Sequence, residues 1–306
     1  MRRYLTRRFL QAIPVTFGVL VITFAVTRLT PGDPAEIMAG LEASPEAIES
    51  IRIDLGLDKP VITQFGVYVS DIFRGDLGRS FYLGRDVTEL IGEALPRTAW
   101  LALVAFAFTA VIAVPTGIMS AIRKDTWMDV AARSTALVGV STPPFFAGLL
   151  AILVFSYYIR WFPSFGSGTW KHLVLPGFTL GLFSAGLVMR LTRSAMLDVL
   201  NEDYIRTARA KGLSERTTNY VHALRNAAIS VVTVMGLQLG GLLAGTVLTE
   251  TVFSYPGIGR LLARSIFERD YPVVQGLILL IAMIYVVVNL LVDVFYSLID
   301  PRIRYE

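Results

Sequence analysis

The chain of 306 residues contains no cysteine and only two histidines, His172 and His222. Without cysteine it can form neither a disulfide nor a thiolate metal site. Neither histidine stands in the His-Glu-x-x-His pattern by which a helix binds catalytic zinc in metalloproteases. The composition therefore excludes cysteine-based chemistry and gives no support to a zinc protease.

Sequence patterns for nucleotide binding and for serine hydrolysis are also absent. The chain has no Gly-x4-Gly-Lys-[Ser/Thr] phosphate-binding loop and no Gly-x-Ser-x-Gly nucleophile turn. We therefore predict that this chain is not an enzyme, that it does not bind ATP by itself, and that it holds no cofactor or metal.

Charged residues are scarce. They make up 17% of the chain, against 54% hydrophobic residues, and the mean hydropathy is +0.59. A soluble domain needs a more polar surface, whereas apolar runs near 20 residues are typical of membrane helices. Two of the six runs contain breaks, at Pro143–Pro144 and at Pro176–Gly177. The six predicted spans are Phe9–Leu29, Thr98–Ile122, Ser134–Tyr158, Leu173–Leu191, Ala227–Phe253 and Pro272–Leu298.

The interiors of these spans carry almost no ionisable residues. Ion-coupled carriers usually keep such residues near the middle of the membrane. This scarcity argues against a carrier driven by protons or sodium ions. A stand-alone channel or secondary transporter nevertheless remains an alternative from composition alone.

The distribution of lysine and arginine predicts the orientation of the spans. Basic residues precede the first span and recur in the segments after the second, fourth and sixth spans. Because Lys and Arg favour cytoplasmic segments, both termini are predicted to be cytoplasmic.

The external segment between the first two spans, residues 30–97, has signals for three short helices. Ser44 suits the N-cap of one helix and Gly56 its end, and Pro60 begins a second amphipathic stretch. Asp86 is placed to cap the third. A further short helix from Ile258 is predicted outside the membrane, between the last two spans.

The most informative segment lies between the fourth and fifth spans, Glu202–Ala227. Asp203 or Asn201 can cap a helix that ends at Gly212, and Ser214 can cap a second helix. An apolar face is predicted beside an arginine-rich face. Its apolar members are Tyr204, Ile205, Ala208 and Leu213. The pattern fits either a helix that docks in a groove of a soluble partner or a solvated basic loop near anionic lipid.

Small residues follow at helical spacing in the fifth span. Gly236 and Gly240 form one Gly-x3-Gly pair, and Gly241 and Gly245 form another. Such pairs let helix backbones approach closely. We predict that this face packs against another helix.

The charged segment resembles the cytoplasmic EAA loop of ABC importer permeases, in the form found in the dipeptide/oligopeptide (peptide/glutathione/nickel) subfamily. The likeness extends along the chain, through PGDP at Pro31–Pro34, GDLGRS at Gly75–Ser80, ETVFSYPGIGRLL from Glu250 and DPRIRY at Asp300–Tyr305. The chain looks most similar to the first of the two paired permeases. It departs from the family pattern at Ser230, where a proline is usual. The matching loop positions are Tyr204, Arg206–Ala208, Ala210–Leu213 and His222–Ala227.

The resemblance implies an all-α membrane protein with six transmembrane helices and the type I ABC importer permease fold. It implies transport of short peptides or glutathione across a bacterial inner membrane, with nickel less favoured because no His/Cys cluster is present. It also implies these partners: a second homologous permease, two subunits that bind ATP and Mg, an external solute-binding protein and membrane lipid, but no nucleic acid. The coupling to the ATPases would use Asp203, Tyr204, Arg206, Thr207, Ala208, Arg209, Lys211, Gly212 and Leu213.

The predicted organisation has five parts. Residues 1–8 form a cytoplasmic N-terminus, 9–29 the first span and 30–97 the external helical segment. Residues 98–298 form a core of five helices that includes the coupling loop 192–226, and residues 299–306 form a cytoplasmic tail.

Overall fold

A computed structural model describes residues 2–29, 33–39, 43–54, 56–244 and 246–299. These ranges are mostly helical and contain no β-strand, as predicted. The α-helices in them are α1 Arg2–Leu29, α2 Pro34–Ala39, α3 Pro45–Asp54, α4 Val61–Phe73, α5 Val87–Ile122, α6 Trp127–Ser141, α7 Pro144–Ala151, α8 Lys171–Leu200, α9 Asp203–Ala210, α10 Glu215–Thr217, α11 Leu224–Ala244, α12 Thr246–Val252, α13 Ile258–Phe267 and α14 Tyr271–Ile299. Two π-helical segments, Ile152–Tyr158 and Thr218–Ala223, follow α7 and α10.

Several of these helices can span a membrane. Four are long and apolar enough: Val87–Ile122, Lys171–Leu200, Glu215–Leu242 and Tyr271–Val292. A fifth candidate is the broken pair Trp127–Ser141 and Pro144–Tyr158, which is bent by 104°. Within α1, Leu10–Val26 is a shorter apolar helix. These six segments overlap the six predicted spans.

Two of the predicted helix ends are wrong. The stretch after Asp86 does not form a separate third short helix, because α5 continues from Val87 into the second span without a stop. Pro176 does not interrupt α8. It lies near the N-terminal end of the helix, where its missing N–H removes a single backbone hydrogen bond. At Pro143–Pro144, by contrast, α6 ends and α7 begins.

The chain divides into two compact units, described separately. The first contains residues 98–244, 246–255 and 287–299. In it α8 packs against α6, α7 and α11. Close backbone approaches rely on glycine: a Cβ on Gly186 would lie 2.5 Å from the Ala136 carbonyl oxygen, and one on Gly181 would lie 2.7 Å from that of Ala105. These contacts allow α8 to touch the backbones of α5 and α6.

The second unit contains residues 2–97 and 256–286. The buried Asp270 carboxylate accepts hydrogen bonds from the Ser80 hydroxyl and from the Phe81 N–H, at 3.1 Å. This aspartate fixes the loop before α5 against the start of α14. The predicted division of the chain into five parts remains a prediction. The two compact units reflect packing between helices and do not mark where the membrane begins or ends.

Candidate functional site

The charged segment folds as a helix, a glycine corner and a second helix, as the sequence predicts. The predicted cap of the first helix is wrong: Glu202 holds the N-cap position, and neither Asp203 nor Asn201 caps α9 with its side chain. At the end of α9 the Gly212 N–H donates to the Arg209 carbonyl at 2.9 Å, and the Leu213 N–H donates to the Ala208 carbonyl at 3.3 Å. These two bonds form a Schellman motif. Gly212 has φ +78°, a left-handed conformation that other residues adopt only with strain.

The second half of the corner begins at Ser214. The Ser214 side chain accepts a hydrogen bond from the Thr217 N–H at 3.2 Å and so caps the short helix α10. The π-helical segment that follows leads into α11. Two of its side-chain oxygens, Oγ1 of Thr218 and Oδ1 of Asn219, are buried with no hydrogen-bond partner among the described residues. Unsatisfied buried groups and π-helical turns both recur at functional sites.

An ion pair joins the two halves across the glycine. Arg209 donates from Nε to one Glu215 carboxylate oxygen at 2.8 Å and from a terminal nitrogen to the other at 3.2 Å. The pair is exposed, so its main effect is geometric: the forked contact holds α9 and α10 at one angle.

Apolar residues anchor α9 to its own chain. Ile205 is fully buried and packs in a cluster with Met196 of α8 and Ala227 of α11. Ala208 is also buried. The Tyr204 hydroxyl accepts a hydrogen bond from the Asn226 amide nitrogen at 2.7 Å. The corner is therefore fixed to the ends of two long helices.

The predicted apolar face is consequently divided. Ile205 and Ala208 point into the chain, whereas Tyr204 and Leu213 stay about 40% exposed, at 42% and 40%. The rest of the exposed face is polar. It is formed by Asp203, Arg206, Thr207, Arg209 and Lys211. The surface available to a partner is therefore mainly polar and basic. The buried pair, Ile205 and Ala208, anchors the corner to the rest of the chain.

A buried charge cluster beside this region was not predicted from the sequence. Asp129 in α6 has no exposed surface and receives two hydrogen bonds of 2.8 Å from Arg193 of α8. The Ser120 hydroxyl and the Asp125 N–H also donate to it, and Arg133 lies 3.3 Å away. The Asp129 cluster, comprising these five residues, joins the loop before α6 to the last part of α8. A lone aspartate in the first turn of a helix gives no signal of a partner 64 residues away.

The predicted small-residue face of α11 is only partly in contact. A Cβ on Gly236 would lie 3.2 Å from Val292 of α14, and Gly240 is buried. Gly241 is exposed, and Gly245 lies outside the described residues. Closer glycine contacts occur in α5, α8 and α14, and are made by Gly117, Gly177, Gly181, Gly186 and Gly276.

Comparison with known proteins identifies the family. Residues 113–305 match the model of the binding-protein-dependent transport system inner membrane component, and residues 1–102 match the N-terminal model for membrane components of these systems. The chain belongs to this permease family. It is therefore an inner-membrane transport subunit of an ABC importer, and the alternative of a stand-alone carrier or channel is not supported.

Relatives cover the whole permease. The glutathione transport system permease protein GsiC of Escherichia coli (strain K12) is 44% identical over 306 residues, with 100% of both chains covered. A protein of Brucella abortus (strain 2308), provisionally named a peptide transport system permease protein, is 45% identical over 314 residues, again with 100% of both covered.

Solved structures support the fold. The inward-facing MetNI methionine ABC transporter matches with a TM-score of 0.60 and 16% identity, over 69% of this chain and 96% of that chain. An amino acid ABC transporter matches with a TM-score of 0.53 and 17% identity, over 70% and 94%. The permease thus has the type I ABC importer fold. Within the described residues, no group of three or more His, Cys, Asp or Glu side chains could hold a metal ion.

Proposed function

We propose that this permease is the translocation subunit of an ATP-driven importer for short peptides, meaning dipeptides, oligopeptides or glutathione. The names of relatives that are 44% and 45% identical over their full length support this substrate class. The low content of ionisable residues in the spans agrees with a passage whose energy comes from partner subunits.

The observation that carries the proposal is the pre-formed corner of residues 203–217. It would act as a coupling helix that sits in a groove of an ATPase subunit. Arg206, Arg209 and Lys211 would supply polar contacts on its exposed face, while buried Ile205 ties the corner to α8 and α11. Movement of the ATPases on binding ATP would then shift the spans between inward-open and outward-open states.

The assembly would contain four kinds of protein. A second, homologous permease would complete the pathway as a heterodimer, and two ATPase subunits would bind ATP and Mg. A solute-binding protein would dock on the external side, and lipid would surround the spans. Both termini would be cytoplasmic, as the distribution of Lys and Arg favours.

Purification from the native membrane, followed by reconstitution, tests this function. The permease is extracted in mild detergent, its co-purifying proteins are identified by mass spectrometry, and the complex is placed in vesicles with the binding protein. We expect uptake of a labelled dipeptide or of glutathione that needs ATP and the ATPases. Uptake by this permease alone, without ATP, would contradict the proposal. ATP-dependent uptake of nickel only would keep the importer and reject the peptide substrate.

A further inference from the structure

The first unit contains an apolar groove of about 350 Å³ between α5, α6 and α8. Its floor is made of small residues where α6 and α8 touch, including Ala136, Gly139 and Gly186. Larger side chains form its walls near the start of α6, among them Met119 and Trp127. Trp127 is 75% exposed. The close packing of small residues below larger walls creates the groove.

The groove offers few polar groups to a guest. Only two of its lining side chains carry a hydroxyl, and both donate to the backbone of their own helix. Thr116 donates to the Ile112 carbonyl at 2.6 Å, and Thr135 donates to the Ala131 carbonyl at 2.8 Å. Because both hydroxyl protons are already donated, neither hydroxyl can donate to a guest. A peptide backbone or a sugar in the groove would therefore lose hydrogen bonds that it makes with water. The occupant must be apolar along its length.

The length of the groove suits a hydrocarbon chain. From Trp127 to Gly139 the groove follows α6 for about 18 Å at 1.5 Å per residue. This length is close to one leaflet, about 15 Å of hydrocarbon. A hydrocarbon chain fits along it lengthwise.

Positive charge lies at the Trp127 end. Arg123 and Lys124 are exposed in the loop that precedes α6, and the Arg123 guanidinium contacts the sulfur of Met128, which lines the groove. Asp125 opposes them in the same loop. Arg133 and Arg193 share the buried Asp129. Together these four cations and two anions give a net charge of +2 at the end of the groove where Trp127 is exposed. Tryptophan side chains prefer the membrane interface.

We propose that this groove binds one acyl chain of an anionic phospholipid, whose headgroup is held by Arg123 and Lys124. The apolar floor receives the chain, and the loop cations neutralise the phosphate. The inference uses only the membrane location of the permease and is independent of its substrate.

Quenching of Trp127 fluorescence by brominated lipid tests the site. The full-length chain, with its other three tryptophans changed to phenylalanine, is reconstituted in phosphatidylcholine vesicles. Two vesicle samples contain the same small fraction of brominated lipid, which is phosphatidylglycerol in one sample and phosphatidylcholine in the other. We expect at least about fivefold preferential quenching by phosphatidylglycerol. A chain that retains only Trp100, which is 59% exposed on α5, is the matched control and should show no preference.

Two kinds of variant test the headgroup contact and the acyl-chain groove separately. Arg123→Gln and Lys124→Gln should each lower the preference about fivefold. Ala132→Leu should block the groove and reduce phosphatidylglycerol quenching to the phosphatidylcholine level. Equal quenching by both lipids in the Trp127 chain would overturn the proposal, as would a preference that survives both charge removals. Loss of the quenching when the partner subunits are added would show that protein, and not lipid, covers this groove.

Discussion

Replacing Arg193 with methionine would remove the main partner of a fully buried carboxylate. In the native permease, Arg193 donates two hydrogen bonds of 2.8 Å to Asp129, whose side chain has no exposure, while Arg193 itself is 17% exposed. Methionine keeps most of the length and apolar packing of the arginine stem. The variant therefore isolates the loss of the charge and of the forked hydrogen bonds.

The size of the effect follows from what remains around Asp129. Removing one partner of a buried ion pair typically costs about 3–5 kcal/mol, because the other charge is left without compensation. Here the Ser120 hydroxyl still donates, and Arg133 lies 3.3 Å from the carboxylate, although it is 47% exposed. We therefore expect a loss near the lower end, about 2–4 kcal/mol, or about 5–10 °C in the unfolding temperature.

Thermal unfolding of the purified permease complex in detergent measures this loss. Arg190→Met, which changes an exposed arginine in the same helix, is the matched control and should shift the midpoint little. Combining Arg193→Met with Asp129→Leu should restore most of the stability, since an apolar pair replaces the ionic one. If Arg193→Met were no more destabilising than Arg190→Met, the cluster would have no role in holding α6 to α8.

Three further substitutions test the corner and the helix contacts. Gly212→Val puts a branched residue at φ +78°, so it should cut ATP-driven uptake in vesicles while membrane insertion stays normal; uptake equal to the native level would refute the corner argument. Arg209→Glu should lower co-purification of the ATPases, and adding Glu215→Arg restores the ion pair. Recovery of co-purification in that double variant would mean that Arg209 acts only within the corner. Gly186→Ala should cost about 1–3 kcal/mol of stability in thermal unfolding, because its Cβ meets a carbonyl of α6 at 2.5 Å, whereas Gly92→Ala, with no atom within 4 Å, should be neutral or stabilising.

The corner could be predicted because its signals are local. A helix end at Gly212 and a cap at Ser214 depend on residues within one turn, and both appear where the sequence places them. The same holds for the short helix that begins at Pro45, whose Ser44 side chain accepts from the Ala47 N–H at 3.3 Å. Hydrophobic run length also located the apolar helices, because it too is a property of contiguous sequence.

Long-range pairing could not be predicted in the same way. Asp129 and Arg193 are ordinary loop-flanking charges in the sequence, and only packing of α6 on α8 brings them together. The glycines show the same limit. The Gly-x3-Gly spacing in α11 drew attention to Gly241, which is exposed. In α8 the close contacts are made by Gly177 and Gly181, a Gly-x3-Gly pair that was not singled out from the sequence, and by Gly186. Spacing marks a small-residue face, but the neighbouring helix decides which face is used.

The division of the corner's side chains constrains how it can bind a partner. Since Ile205 and Ala208 are buried within the permease, they add no apolar area to an interface, and only Tyr204 and Leu213 remain as half-exposed apolar contacts. A partner must therefore meet a surface formed mostly by charged and hydroxyl groups. Exposed charges gain little from each contact and are screened by salt. It follows that association through this corner should weaken with ionic strength, while the geometry set by Gly212 and by the Arg209–Glu215 pair decides whether the contacts form together.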